Sequence, residues 1–410
     1  MKAVVFDGAI PRYLLTRALG AASRKALTGA LRCTQLRDLP QPALPGNRWV
    51  RVRTLLGGLC GSDLNLVSLH VSPSTSPFSS FPFVIGHENV GVVSEVGSAV
   101  SRVKPGDRIV VNPLLACAAR DVVPPCPHCD AGYPSRCEHF TDGALAPGMM
   151  LGTTRGVGGS WGEQYLAHES QVFPVAPAVS DRAALLTEPF ACVVSPLLQH
   201  PLPAGARALV IGAGSMGLLA TAALKAIARA EVTVLSRHRF QSEHAERLGA
   251  SRVVSARSTD RMQELSRVSA GRLLQPILGA PIHVGGFDVT VVCVGSNEAM
   301  QDALRFTRAG GTILLLANVS ALKRVDWTPV WLKELSVHGS LCYNQTSHDG
   351  TRAGAFETAA ALIAGPLGAE LEPLVTHVMP RSDFRHALSV AWGRSGSGAV
   401  KVALAGDGPA

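Results

Sequence analysis

The sequence is short of charge: of 410 residues, 17% are charged and 47% hydrophobic. That ratio fills sizeable cores and excludes a disordered chain. A formal charge of +8 comes without any Lys/Arg block or aromatic-interleaved basic motif, so nucleic acid is not an expected partner. The cationic excess instead suits small anions, from nucleotide phosphates to acidic substrates. The start, Met1-Lys-Ala-Val-Val-Phe-Asp, lacks an apolar segment leading to a small-residue cleavage site, so no secretory signal is read there. A membrane-length apolar run is missing as well. The most apolar stretch, residues 208–228, is interrupted by Gly212, Gly214, Gly217 and Lys225, which excludes a span. Nor do the cysteines pair off, because there are nine. An odd number in a chain without a signal argues against a disulfide framework. A soluble, cytoplasmic protein is expected, and the four cysteines clustered between 117 and 137 point to metal.

What is present is a change of texture. Lys2–Phe6 reads as a strand. Residues 11–32 place Leu15, Leu19, Leu27 and Leu31 at near-helical spacing among Arg12, Arg17, Arg24, Lys25 and Arg32. This is a basic amphipathic helix, with breaks at Gly20 or Gly29 as its weak points. Its readings are a helix packed on its own domain, a substrate gate or a membrane-surface segment. Residues 47–175 are punctuated by Gly and Pro, with short Val-rich strands at 49–54 and 90–96, an irregular β domain. Ser72–Pro82 reads as a loop. From about 205 onward, strands at 208–211, 232–235, 289–294, 312–316 and 336–339 alternate with helices at 216–229 and 238–248. That alternation implies a doubly wound parallel sheet in an α/β protein. The expected division is 1–196, 197–342 and 343–410, the last segment rejoining the first.

Gly212-Ala-Gly214-Ser215-Met216-Gly217 is G-x-G-x-x-G directly after a strand and before a helix. In that setting Gly212 permits the tight turn, Gly214 the approach of a pyrophosphate, and Gly217 close helix–strand packing. The helix start offers free N–H groups to the phosphates. A dinucleotide site is expected at these residues. The second strand lacks the terminal carboxylate that holds the ribose 2′-OH of NAD. It ends instead in Ser236-Arg237-His238-Arg239, a hydroxyl and guanidiniums suited to a 2′-phosphate. NADP(H) is expected over NAD(H), with solvated arginines as the alternative.

Cys117, Cys126, Cys129 and Cys137 supply four thiolates on one loop. Their number and softness fit a closed, structural zinc site, although Cys126-Pro-His-Cys129 is also formally a redox C-x-x-C. A second set is scattered: Cys60 in Cys-Gly-Ser-Asp63, His87 in Gly-His-Glu88, and Glu188 in Thr-Glu-Pro189. Singly, each has a bland reading as a small core residue, a satisfied core histidine or a helix-capping acid. Together they offer a thiolate, an imidazole and a carboxylate, the three-ligand pattern of a catalytic zinc with one open position.

With these motifs in order, joined by Val103-Lys-Pro-Gly-Asp-Arg108, the chain resembles the zinc-containing medium-chain dehydrogenase/reductase family, particularly its sorbitol- and threonine-dehydrogenase-like branch. The resemblance implies a GroES-like catalytic domain beside a Rossmann domain, and two zinc ions per chain. It implies Cys60, His87 and Glu188 as catalytic zinc ligands, with Glu88 able to approach the metal. Asp63 would orient His87, and Ser62 would take the alcohol proton. Zinc would act as Lewis acid on an alcohol, ketone or aldehyde while hydride passes to or from the nicotinamide. A homodimer or homotetramer is implied. Asn65 stands where many relatives carry a relay histidine, and Leu66 where the sorbitol enzymes carry a tyrosine, which points to a more apolar pocket. The competing readings are a zinc-free quinone or enoyl reductase and a non-enzymatic nucleotide-binding protein.

Overall fold

The structure, a computed structural model, describes residues 1–348 and 351–406. The chain divides into two compact units: Met1–Glu188 with Tyr343–Gln345 and Phe356–Ala410, and Pro189–Cys342 with Thr346–Ala355. The first boundary falls inside the helix Thr187–Gln199, earlier than the division at 196/197 expected from the sequence.

The first unit is built on a seven-stranded sheet. Trp49–Gly58 lies at its centre, paired antiparallel with Asn89–Val96, Lys401–Ala405 and, off the main path, Gln164–His168. Trp49, Val50 and Val52 are sealed into one core with Ile109, Val111, Tyr165 and Leu166. The alternation of Val with Arg in Trp49–Thr54 is what sets that face. The strand continues to Gly58 and delivers the chain to Cys60. The returning strand Lys401–Ala405 pairs with Gly58, Gly57 and Leu56, so the C-terminal segment is part of this unit's sheet. A smaller sheet joins Lys2–Phe6 to Thr34–Asp38 and Phe83–Val84.

The segment 11–32 is not one helix. A helix spans Ile10–Gly20, and a separate 3-10 turn at Arg24–Leu27 follows, capped by the Ser23 side chain accepting from the Lys25 N–H. Gly20, a poor helix former, ends the first piece. The helix leaves Ile10 and Leu14 exposed, while Tyr13 and Leu27 pack on the core that holds Leu59, Leu64 and Phe384. The Ser/Pro loop contains a 3-10 turn at Pro73–Phe78.

The second unit carries a parallel six-stranded sheet. Counted along the chain within the sheet, its order is 3-2-1-4-5-6: Arg252–Ser255, Glu231–Ser236, Arg207–Ile211, Phe287–Val292, Thr307–Leu315, Ser336–Gly339. This is the dinucleotide-binding doubly wound order, with its ligand crevice between strands 1 and 4. Ala208–Val210 and the Val residues of Glu231–Ser236 are fully buried, as strands covered on both faces must be. Among the described residues, no helix is long and apolar enough to cross a membrane.

Candidate catalytic and metal sites

Gly58-Leu59-Cys60 leaves the central strand and turns into the helix Gly61–Val67. Cys60 is its N-cap. The Asp63 carboxylate reaches back to accept the Cys60 backbone N–H at 2.9 Å, closing a capping box. This local chemistry, an acid three residues past the cap, fixes the direction of the thiol. It also ties Asp63, buried at 4% exposure, next to that thiol. The other oxygen of Asp63 lies 3.5 Å from His87 Nδ1, and the opposite nitrogen, Nε2, lies 3.5 Å from Ser62 Oγ. The backbone of His87 is held from below. Asn89 donates to the His87 carbonyl at 2.9 Å and to the Val111 carbonyl at 2.8 Å, and accepts from the Val111 N–H and the Tyr165 hydroxyl. Burial disfavours charge on His87, but the Asp63 carboxylate and the Cys60 thiolate outweigh it and raise the imidazole well above the usual histidine range.

Glu188 sits in the first turn of Thr187–Gln199 and accepts from the Tyr343 hydroxyl. Burial pushes its carboxyl up, opposed by the field of His87. Glu88 is completely buried and salt-bridged to Lys401 Nζ at 2.5 Å, while its second oxygen has no hydrogen-bond partner. Lys401 also donates to the Leu59 carbonyl at 3.4 Å. The donors Cys60, His87 and Glu188, with an unsatisfied carboxylate oxygen on Glu88, fit a divalent cation of borderline softness. They do not close up as the cysteine cluster does. Among the described residues only Cys117, Cys126, Cys129 and Cys137 have ligand atoms all within 4.8 Å of one another.

That spacing fits zinc, because four thiolates ~2.3 Å from a common centre stand ~3.8 Å apart at tetrahedral geometry. Cys117 and Cys137 sulfurs lie 3.5 Å apart. Burial pushes the Cys126 thiol up, but N–H groups from Glu138 and Cys129 prevail and lower it to about 7, whereas burial raises Cys137 to about 11. The organiser of this lobe is a residue sequence reasoning missed. Arg120 is 0% exposed. Its guanidinium donates to the carbonyls of Leu115, Asp142, Leu145, Ala146 and Gly148, so one side chain staples both ends of the cysteine loop. Lys401 and Tyr343 were missed as well. A lone lysine inside the apolar run Val400–Leu404 was the available signal for the first; nothing local marks the second.

In the second unit the glycine turn has the required geometry. Gly212 has φ +97°, in the region that favours glycine, and a Cβ on Gly217 would stand 1.7 Å from the Gly212 carbonyl oxygen. Gly214 caps the helix Ser215–Ala228, whose first residues are Ser215 and Met216, so its open N–H groups face the end of the first strand. At the end of the second strand, Ser236 is buried, with its hydroxyl donating to the His238 carbonyl and accepting from Ser242. Arg237 is exposed. Arg239 pairs with Glu243 at 2.9 Å on the surface, 94% exposed.

Residues 46–177 match the family model of the alcohol dehydrogenase GroES-like domain, and residues 215–363 that of the zinc-binding dehydrogenase; together these cover well over half of the chain. The L-threonine 3-dehydrogenase of Rhizobium etli (strain CIAT 652) is 28% identical over 85% of this chain and 89% of its own length. The sorbitol dehydrogenase of Bacillus subtilis (strain 168) is 26% identical over 69% and 71%. Among solved structures, the 2R,3R-butanediol dehydrogenase of Bacillus subtilis shares the fold at a TM-score of 0.72, with 22% identity over 99% of both chains. A GroES-like unit with four clustered cysteines, followed by a doubly wound sheet with a glycine turn, thus meets two matching family models in the same order along the chain. The chain belongs to the zinc-containing, medium-chain alcohol dehydrogenase family of oxidoreductases.

Proposed function

We propose that this chain transfers hydride between NADP(H) and an alcohol or its ketone or aldehyde, with a catalytic zinc held by Cys60, His87 and Glu188, and Ser62 as the proton acceptor. A second, structural zinc belongs to Cys117, Cys126, Cys129 and Cys137, giving two per chain. The single observation that carries the reading is the contact series Ser62 Oγ–His87 Nε2 and His87 Nδ1–Asp63 Oδ1, each 3.5 Å, mounted on the helix that Cys60 caps. It supports a reading in which the Ser62 hydroxyl, the His87 imidazole and the Cys60 thiol face one metal position. When bound, zinc supplies Lewis acidity toward the substrate oxygen and the nicotinamide supplies or accepts the hydride.

The chain's own residues do the rest. Asp63 holds the His87 tautomer, so that Nε2 is the nitrogen presented to the site. Ser62 is placed to take the proton leaving an alcohol, or to return it to a carbonyl product. Glu88, neutralised on one oxygen by Lys401, keeps the second oxygen available. Arg237 is the leading cation for a 2′-phosphate, with Arg239, paired on the surface with Glu243, as a second guanidinium beside it. A small alcohol or carbonyl substrate, a homodimeric or homotetrameric assembly and a cytoplasmic setting belong to the same reading. The test is elemental analysis of unchelated protein together with an NADPH-oxidation screen on aldehydes and ketones. Two zinc ions and chelator-sensitive turnover are expected. Turnover that survives complete loss of metal would overturn the zinc mechanism in favour of a quinone- or enoyl-reductase type. Nucleotide binding without turnover on any substrate would favour a binding protein.

A further inference from the structure

The helix Ile10–Gly20 presents its apolar side outward. Successive residues of a helix lie about 100° apart, which puts positions 10, 11, 14, 15, 18 and 19 on one side. Those positions are Ile10, Pro11, Leu14, Leu15, Ala18 and Leu19, and all are exposed, Ile10 at 74% and Leu14 at 58%. Thr16 is buried on the opposite side, where Tyr13 packs on the core. A surface helix ordinarily keeps its apolar side for the core and its polar side for water. Here the side given to water holds no polar residue. Its margins do: the same spacing sets Arg12 along one edge and Arg17 along the other. Two neighbours extend the strip. The exposed Phe81 lies against Gly8, where a Cβ would stand 2.7 Å from its ring. Leu31 is 66% exposed, and the carbonyl of Ala30 beside it accepts from Arg12 at 2.7 Å.

The charge around this strip has one sign. Residues 8–37 carry Arg12, Arg17, Arg24, Lys25, Arg32 and Arg37 without one Asp or Glu. Asp7, just ahead of them, is taken up by Arg12 and Arg37, and Arg32 donates to the Ala26 carbonyl. Arg17, Arg24 and Lys25 are exposed and make no ion pair among the described residues. The segments that share this core bring no further acid: residues 64–87 and 384–406 contain none, with Asp38 and Asp383 standing at the ends of the acid-free runs. Arg24 lies over the partly exposed Trp392, 5.7 Å from the ring centroid. The result is an apolar strip bordered by cations and aromatic rings.

Exposed apolar side chains gathered on one face mark a contact surface, and the charge selects what covers it. A second copy of this chain meeting it across a two-fold axis would set the same patch against itself. Arg17, Arg24 and Lys25 would then enter one contact with their own kind, which is costly. An anionic lipid surface suits both parts. Acyl chains take the leucines, while headgroup phosphates and carboxylates take the guanidiniums and the ammonium along the margins, as for a helix lying in the plane of the interface. We propose that Ile10–Gly20 docks this chain peripherally on anionic membranes, with Ile10, Leu14, Leu15 and Leu19 below the headgroups and Arg17, Arg24 and Lys25 at their level. At ~1.5 Å per residue the helix is about 16 Å long, so it lies on a bilayer and does not cross one. Tyr13 and Leu27 hold the segment to the core from behind. The face is therefore preformed, and no ordering on the membrane is needed.

The test is co-sedimentation of the full chain with vesicles of phosphatidylcholine alone, and of phosphatidylcholine with about one-third phosphatidylserine, which sets up an anionic surface potential. The wild type is expected to bind the anionic vesicles at least roughly tenfold more tightly, by a margin that shrinks as salt screens the surface. Arg17→Gln with Lys25→Gln should weaken that binding ~25-fold, about fivefold for each charge near the surface, and leave the weaker binding to neutral vesicles unchanged. Leu14→Ser with Leu19→Ser keeps every cation and should weaken binding to both kinds of vesicle at least roughly tenfold, through the loss of two apolar side chains from the acyl region. All four side chains are exposed, so both variants should melt as the wild type does. Leu14→Trp adds a readout that removes no apolar surface: lipids brominated on their acyl chains should quench the added fluorescence. No binding to anionic vesicles, a leucine variant that binds as tightly as wild type, or an unquenched Leu14→Trp overturns the proposal. Self-association that the leucine variant abolishes, in a chain that ignores vesicles, also overturns it and gives the face to a second copy. No nucleotide or substrate enters these measurements, so their outcome is independent of the dehydrogenase reading.

Discussion

Lys401→Met separates a buried charge from its partner, and the consequence follows from the contact itself. Lys401 is 2% exposed and Glu88 0%, with 2.5 Å between their charged atoms. Methionine matches the lysine stem in length, so packing is nearly conserved while the ammonium is lost. The Glu88 carboxylate, already short of a partner on its second oxygen, is then left uncompensated in the interior. Breaking such a pair from one side costs about 3–5 kcal/mol. For a unit of this size ~2–4 °C is lost per kcal/mol, so its melting temperature should fall by roughly 6–20 °C. Differential scanning calorimetry is the assay, read at the transition of the first unit. Lys401→Met combined with Glu88→Met removes both charges and should recover most of the loss, because a neutral pair of similar shape carries no such penalty. The pH arm has a definite sign. Burial lowers the Lys401 pKa, but Glu88 and Cys60 raise it further, so the net folded value lies above the ordinary one. The stability it contributes is therefore fully present at neutral pH, and is lost as pH rises from ~10.4, the unfolded value, through the folded one. A single variant within about 0.5 kcal/mol of wild type, the range of an ordinary surface change, or a double variant no better than the single, would refute the claim that the pair is a buried unit.

Cys129→Ser should lower the melting temperature and abolish its sensitivity to chelators, because metal binding at a closed site is folding energy; a melt identical to wild type would detach the four cysteines from metal. Ser62→Ala with its zinc content unchanged should turn over ~10²–10⁴ times more slowly, the usual share of a positioned proton-transfer group; wild-type rates would mean that water carries the proton. Ser236→Asp with Arg237→Ala should reverse a preference for NADP(H) that is at least roughly tenfold in affinity, measured by fluorescence titration of both reduced cofactors. Arg239→Ala should shift neither affinity more than a surface ion pair can, under about 1 kcal/mol.

Legibility followed sequence distance. The strands at 2–6 and 336–339 have the ends expected, because alternation and buried runs are local signals. The glycine fingerprint was readable because its three requirements lie within six residues of chain. The cysteine cluster was readable because its four members lie within 21 residues of one loop. The segment 11–32 was not, in that its helical leucine spacing continues past Gly20 while the backbone stops there and turns. Periodicity records where apolar side chains fall, and a 3-10 turn can present Leu27 to the core as well as a helix would. The least legible parts were the charges that meet across hundreds of residues. Lys401 reaches Glu88, and Tyr343 reaches Glu188. Neither basic nor hydroxylic side chain sits in a motif, since only the returning strand and the second crossing of the chain bring them in.

The end of the second strand shows how far an absence can carry an argument. The missing carboxylate removes the repulsion that would exclude a 2′-phosphate, and this is true whatever the neighbouring side chains do. Attraction is a separate matter that needs a cation free to turn. Sequence alone treats Arg237 and Arg239 alike, as two guanidiniums flanking a histidine. The backbone does not: His238 caps the following helix, and Arg239 stands in its first turn, where Glu243 one turn later meets it at 2.9 Å. Spacing of four on a helix brings the two within reach, although with the arginine first the pair is worth only about a few tenths of a kcal/mol. Arg237, one residue before the cap, has no such neighbour. Meanwhile the Ser236 hydroxyl is drawn inward by His238 and Ser242, so it shapes the strand end more than it offers a bond. On the proposed reading, selectivity for the phosphorylated cofactor rests chiefly on Arg237 acting where no acid opposes it. For that reason the test of the proposed preference changes Arg237 and the vacant acid position at 236 together.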